Sequence, residues 1–259
     1  MIEVDRVSRE FLSPDGKRYG ALREVGFDVA AGAFVAIVGP SGCGKSTLLN
    51  IVAGLLAPSS GAVRIDGRAL DGLNRRATYM FQQDALLPWK NVRDNVALGL
   101  TLAGTARSEA RSRANAWLER VGLAPFAAHY PAQLSGGMRK RVAMTQNWII
   151  DRDIVLLDEP FSALDVHTRQ QMEAELLALW DRSNKTILFV THDLEEAISL
   201  ADEVIVLSSG PDSRVVARHP VPLERPRDLL DLRTQPAFLD LYRELWAVLR
   251  DEVIRSRRG

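Results

Sequence analysis

The sequence predicts an α/β fold with a phosphate-binding core, an antiparallel β subdomain and an inserted helical subdomain. Three observations carry that prediction. The apolar run Phe34-Val35-Ala36-Ile37-Val38 reads as a strand buried on both faces. It leads into Gly39-Pro40-Ser41-Gly42-Cys43-Gly44-Lys45-Ser46-Thr47, and then into a short helix over 48–53 that ends near Gly54. Apolar strands recur at 154–157, 186–190 and 203–207 in an alternating α/β pattern. Around these lie short strands early in the chain and a helical stretch near its middle.

Taken in order, residues 2–8 and 24–29 read as strands, with a polar turn around Pro14-Asp15-Gly16 between them. Residues 61–67 form another short strand ended by Asp66-Gly67, a hairpin-turn pair, and 77–82 a further strand. From about 92 to 130 the texture is helical. Asn95 to Leu102 is apolar, and Ser108 to Val121 spaces Arg, Glu and Ala at helical intervals around Trp117 and Leu118. Nucleotide-type motifs resume afterwards, so this is an insertion, with the helical subdomain spanning about 92–150. A helix is expected from Arg139 to Ile150 and another over 167–182. Past Pro226, the side chains of Phe238, Leu241, Tyr242, Leu245, Trp246 and Leu249 share one helical stripe. The expected division is a main unit over 1–225 and a C-terminal helical extension over 226–259.

Strand, glycine loop, helix is the context that a phosphate-binding loop requires. The glycines let successive backbone N–H groups converge on one concavity, and the helix N-terminus adds partial positive charge. Lys45 would reach the terminal phosphates, and the Ser46 hydroxyl would sit on Mg²⁺. Cys43, the single cysteine, excludes an internal disulfide; the loop works through its backbone, so the thiol is incidental. Asp158-Glu159 ends a buried strand at the sheet edge where ligands bind in open α/β folds. Asp158 is placed to hold Mg²⁺, and Glu159, aimed differently, to deprotonate a water attacking the γ-phosphate. Leu134-Ser135-Gly136-Gly137-Met138 opens a helix that Ser135 can cap, a second candidate grip on phosphate.

Residues 39–47, Gln82, 134–138, 156–160, Ser162-Ala163-Leu164-Asp165 and His192 follow the order and spacing of ATP-binding cassette proteins, and the match spans almost the whole chain. The sequence resembles the ATPase subunit of an ABC transporter. That resemblance implies ATP and Mg²⁺ as cofactors and a dimer, expected to be of identical chains, in which each ATP is sandwiched between one phosphate loop and the other chain's Ser135, Gly136 and Gly137. It implies that Gln82 senses Mg²⁺ and the attacking water. Asp165 would lie at the dimer interface, and His192 would contact the γ-phosphate. The family places an aromatic ring over adenine upstream of the loop. Phe11 is expected to serve, with Tyr19, read as a loop residue, as the alternative. One departure stands out. Family members carry Gln where this chain has Lys140, and Arg139-Lys140-Arg141 reads either as a solvated face or as a basic patch near phosphate.

Ala85-Leu86-Leu87-Pro88-Trp89, Val92-Arg93-Asp94-Asn95-Val96 and the tail around Arg225-Pro226-Arg227-Asp228 resemble the importer branch for nitrate, sulfonates and taurine. By that resemblance, the region after Gln82 receives a helix of the membrane permease; Trp89 would either join that groove or lie in the core. Permease subunits, and through them a solute-binding protein, are the expected partners, at the cytoplasmic face of the membrane. Lys plus Arg and Asp plus Glu each number 33, so net charge offers nothing toward nucleic acid. No apolar run reaches the roughly 18–20 residues of a membrane span. The alternatives are a non-transport ABC ATPase acting on nucleic acid or ribosomes, and a nucleotide-dependent regulatory module.

Overall fold

Five consecutive residues without an exposed side chain belong in the middle of a sheet covered on both faces, and Phe34–Val38 lies there. The computed structural model describes residues 1–13 and 15–256. Its strands are β1 (Ile2–Leu12), β2 (Arg18–Val29), β3 (Phe34–Val38), β4 (Ser60–Ile65), β5 (Arg68–Ala69), β6 (Ala77–Met80), β7 (Ile154–Asp158), β8 (Thr186–Val190), β9 (Glu203–Leu207) and β10 (Val215–Pro220). The helices are α1 (Lys45–Val52), α2 (Val92–Val96), α3 (Leu98–Leu102), α4 (Arg107–Arg120), α5 (Gly136–Trp148), α6 (Val166–Asp181), α7 (Leu194–Leu200), α8 (Leu229–Leu232) and α9 (Pro236–Ser256).

The larger sheet has the order β10-β9-β3-β8-β7-β6. Its strands pair in parallel except β10, which runs antiparallel along β9 at the edge. Alternation along each strand divides the interior into two cores. Phe34, Ala36 and Val38 join one with Val155, Leu157 and Phe189, while Val35 and Ile37 join the other with Ile154 and Leu156. The parallel register stacks the carboxyl ends of β3, β8, β7 and β6 side by side, so the loops after them share one edge.

The smaller sheet, β2-β1-β4-β5, is antiparallel and packs its inner face on the second core. The first hairpin is longer than its apolar pattern: β1 extends to Leu12 and β2 begins at Arg18, placing Tyr19 on a strand opposite Phe11. Toward the turn those added residues, Glu10 to Leu12 and Arg18 to Tyr19, are exposed, so no period-2 signal marks them. The turn expected at Pro14-Asp15-Gly16 is formed by the N–H of Gly16 donating to Ser13 O, 2.9 Å; Pro14 itself lies outside the described residues. The Asp66-Gly67 turn is as expected, both residues at positive φ, and it leads into β5.

Helices α2 to α5 bury their own cluster, in which Ala110, Ala114 and Leu118 of α4 face Val92, Val96, Val142 and Ile149. The C-terminal stripe divides by depth: Phe238, Leu241, Leu245 and Leu249 enter the first core. Tyr242 and Trp246 stack on each other, ring centroids 6.5 Å apart, at its margin. Burying side chains of that size contributes roughly 1.5–3 kcal/mol each, which fixes α9 to the main body.

Candidate active site

The loop after β3 turns by means of Gly42 (φ +77°) and Gly44 (φ +92°), a region closed to most L side chains. Gly44 occupies the N-cap of α1 and, lacking a side chain, leaves the first helical N–H groups facing the loop's concavity. Lys45 is only 5% exposed, its ammonium donating to Gly39 O (2.9 Å) and Pro40 O (3.1 Å). A buried ammonium held by two loop carbonyls is a charge kept in reserve, since a phosphate oxygen is a stronger acceptor. Cys43 is buried against Gly39, and burial pushes its thiol pKa up, away from the thiolate that a nucleophile needs.

Two carboxylates close the far side. Asp158, the last residue of β7, accepts from Ser46 Oγ (2.9 Å) and from Tyr79 Oη (3.1 Å). Burial raises its pKa, partly offset by those two hydrogen bonds. A desolvated carboxylate beside a serine hydroxyl is a donor set for a hard cation that also binds phosphate oxygens, so Asp158 and Ser46 fit Mg²⁺. Among the described residues no cluster of three or more His, Cys, Asp and Glu forms an all-protein metal cage. Glu159 leaves the strand at φ +43°, its N–H donating to Val190 O at 2.9 Å. This turn swings its carboxylate away from Asp158. One oxygen lies 3.0 Å from His192 Nδ1 and the other 3.9 Å from Lys45 Nζ. The carboxylate therefore stands between His192 and the loop lysine, beside the phosphate loop.

Gln82 follows β6, its amide 3.5 Å from Ser162 Oγ, which in turn donates to Glu159 O (3.1 Å). The basic triplet behaves as neither expectation held. Lys140 is buried, donates to Gln82 O and lies 3.1 Å from Asp84. Arg139 pairs with the same Asp84 (3.2 Å), and Arg141 with Glu175 (2.7 Å). All three cations are spent on partners within the chain, and the sequence gives no sign that Asp84 and Glu175 lie opposite them.

Ser135 caps α5, accepting from Met138 N–H at 3.2 Å. A Cβ at Gly137 would meet the Thr168 methyl at 2.5 Å, so only glycine permits this approach of α5 to α6. Asp165 caps α6 through Thr168 N–H (3.0 Å), which lowers its pKa. Among the described residues, no hydrogen bond or ion pair links residues 135–137 to the phosphate loop. The structure thus brings together Lys45, Ser46, Asp158, Glu159 and His192, with Gln82 next to them, and among the described residues none of these is hydrogen-bonded or ion-paired to Ser135, Gly136, Gly137 or Asp165.

The aromatic candidates also part. Phe11 lies under the Arg9 guanidinium, 4.7 Å from its ring centroid, and lines a surface cavity with Ser8, Arg18 and Ser59. Tyr19 brings its hydroxyl to Gly210, which also neighbours the carbonyl of Gly42 and Ser213 Oγ. Trp89, 71% exposed, is not a core residue.

The family model described as ABC transporter matches residues 22–162, more than half of the chain. The chain belongs to the ABC transporter family. This cassette is 44% identical to the taurine import ATP-binding protein TauB of Rhizobium johnstonii, over 99% of each chain. It is 43% identical to an uncharacterized ABC transporter ATP-binding protein, MJ0412, of Methanocaldococcus jannaschii, over 98% of this chain and 93% of the other. Among solved structures it is similar to the dimeric structure of MJ0796, a bacterial ABC transporter cassette. The TM-score is 0.76 at 33% identity, covering 86% of this cassette and 100% of that chain. A second structure of MJ0796, in a post-hydrolysis state bound to ADP and Pi, has a TM-score of 0.76 at 32% identity and the same coverage.

Tyr79 also belongs to this constellation, through its hydrogen bond to Asp158. Tyr79 carries a signal only once β6 is known to lie beside β7. Its phenol pKa is pushed far up by burial and by the neighbouring Asp158 charge, so it stays a hydrogen-bond donor.

Proposed function

We propose that this cassette hydrolyses ATP to ADP and phosphate to energise a membrane importer for taurine-like sulfonate anions. The observation that carries the chemistry is the Glu159 carboxylate, held between His192 and Lys45 beside the phosphate loop. An acceptor there can take the proton of a water attacking the γ-phosphate, while Lys45 and the α1 N-terminus stabilise charge on the phosphoryl oxygens. Ser46 and Asp158 would hold Mg²⁺, which supplies neutralisation of the developing charge, and Gln82 would sense it. The solute class rests on the similarity to taurine import proteins over nearly the full chain.

The partners follow from surfaces that one chain leaves incomplete. Among the described residues, Ser135, Gly136, Gly137 and Asp165 make no hydrogen bond or ion pair to their own loop, as expected if they complete ATP bound by a second, identical chain; the MJ0796 cassette of similar fold is dimeric. A groove of about 610 Å³ beside Gln82, lined by Leu55, Leu73, Phe81 and Leu102, exposes apolar side chains and suits an amphipathic permease helix. Among the described helices none is long and apolar enough to cross a membrane. Docking on permease subunits would hold the cassette at the cytoplasmic face, with a solute-binding protein choosing the cargo. The test is steady-state phosphate release by wild type and Lys45→Ala. Turnover abolished by the substitution is expected; equal turnover would overturn the assignment.

A further inference from the structure

Leu207–Ser213 is in contact with three parts of the cassette at once. Where Gly39 would carry a Cβ, Leu207 O is 3.0 Å away; at Gly210, the same point lies 3.5 Å from Gly42 O and 3.3 Å from Tyr19 Oη. The segment is pinned to the first hairpin by Asp212 N–H donating to Gly20 O (2.7 Å) and Arg23 N–H donating to Ser213 O (2.8 Å). It is therefore the backing on which the start and the middle of the phosphate loop rest.

Its third contact is with α9. The buried stripe Phe238, Leu241, Leu245, Leu249 continues with Glu252, which is 4% exposed. Helical spacing calls for another apolar residue there, since a buried carboxylate is costly unless its oxygens are hydrogen-bonded. Glu252 meets that condition through the backing segment. One oxygen accepts from Ser209 N–H (2.9 Å) and from Ser209 Oγ (3.2 Å), and the other accepts from Arg255 (2.7 Å). A leucine would dock the helix equally well but would leave the Ser209 N–H without its acceptor.

We infer that Glu252 is a positioning residue for ATP binding. Through Ser209 and Gly210 it holds the surface against which Gly39 and Gly42 are set, so the C-terminal helix tunes the phosphate loop. The inference rests on the reading that residues 39–47 hold ATP.

The experiment uses the full chain and measures KM and kcat for ATP, with melting temperature as a check on folding. Glu252→Leu should raise KM about three- to tenfold, the fold-change for one unmet buried donor, while kcat at saturation changes less than twofold. Glu252→Gln keeps an acceptor toward Ser209 and should return KM to within about twofold of wild type. Gly210→Val leaves α9 untouched and extends a branched side chain from a point already 3.3 Å from Tyr19 Oη and 3.5 Å from Gly42 O; it should raise KM as well, keeping the idea testable if Glu252→Leu fails to fold. Unchanged KM in a folded Glu252→Leu, or no rescue by glutamine, overturns the inference. ATP affinity unaltered by Lys45→Ala would instead overturn the reading beneath it.

Discussion

Replacing Glu159 by glutamine keeps the size and planarity of the side chain and removes its charge and its capacity to accept a proton. The surrounding geometry should survive. The N–H of residue 159 still donates to Val190 O, and the amide oxygen still reaches His192 Nδ1 where the carboxylate stood at 3.0 Å. Lys45, 3.9 Å from the carboxylate, is held by Gly39 O and Pro40 O and does not depend on Glu159 for its place. What is lost is one positioned base, which contributes roughly 10²–10⁴-fold, or about 3–5 kcal/mol of barrier. The ground state loses no donor to phosphate, so ATP affinity should stay within about threefold, under 1 kcal/mol. Phosphate release and equilibrium ATP titration on the same preparation separate the two. A Glu159→Gln cassette that turns over within tenfold of wild type would refute the assignment of the base. One that loses ATP affinity along with turnover would show that the residue holds the loop together instead.

Two further outcomes follow from the same geometry. Tyr19→Ala should raise KM for ATP more than Phe11→Ala, because the Tyr19 hydroxyl lies at the Gly42 side of the loop while one face of Phe11 is taken by Arg9; the reverse order would favour Phe11, the expected ring, as the adenine platform. Glu173 and Glu196 are buried, and desolvation raises both pKa values to about 7 from an ordinary 4.5. The folded state then holds protons that the unfolded chain releases, so stability falls as pH rises from about 4.5 to 7 and levels off above. Glu173→Gln should remove roughly 1–3 kcal/mol of that decline, read as a smaller difference between denaturant midpoints at pH 5.5 and pH 8; an unchanged difference would contradict the shift.

What the sequence shows of this cassette depends on how local each cause is. β3, β7 and β8 are legible because both of their faces are covered, which removes polar residues from whole runs. Ser135 and Asp165 are legible as caps, since a cap bonds an N–H within its own first turn. β10 is not legible: its residues alternate between half-buried and exposed, and only β9 beside it makes the segment a strand. Helix α7 carries a local sign, Asp193 accepting from the N–H groups of Glu195 and Glu196. In the site, Lys45, Ser46, Asp158 and Glu159 sit next to glycines or at strand ends and announce themselves. Tyr79, Ser162 and Lys140 matter through partners 79, 3 and 58 residues away, and two of those three separations lie beyond any local pattern.

The central claim is that the hydrolytic site is finished only when a second copy closes over it. Sedimentation of the Glu159→Gln cassette with ATP tests this directly, because slow turnover preserves the closed form. With ATP, and not with ADP, the 28.7 kDa chain should shift to twice its mass. Ser135→Arg should abolish the shift while leaving ATP bound to the single chain. A cassette that stays monomeric with saturating ATP, or a Ser135→Arg chain that still dimerises with it, would contradict the claim.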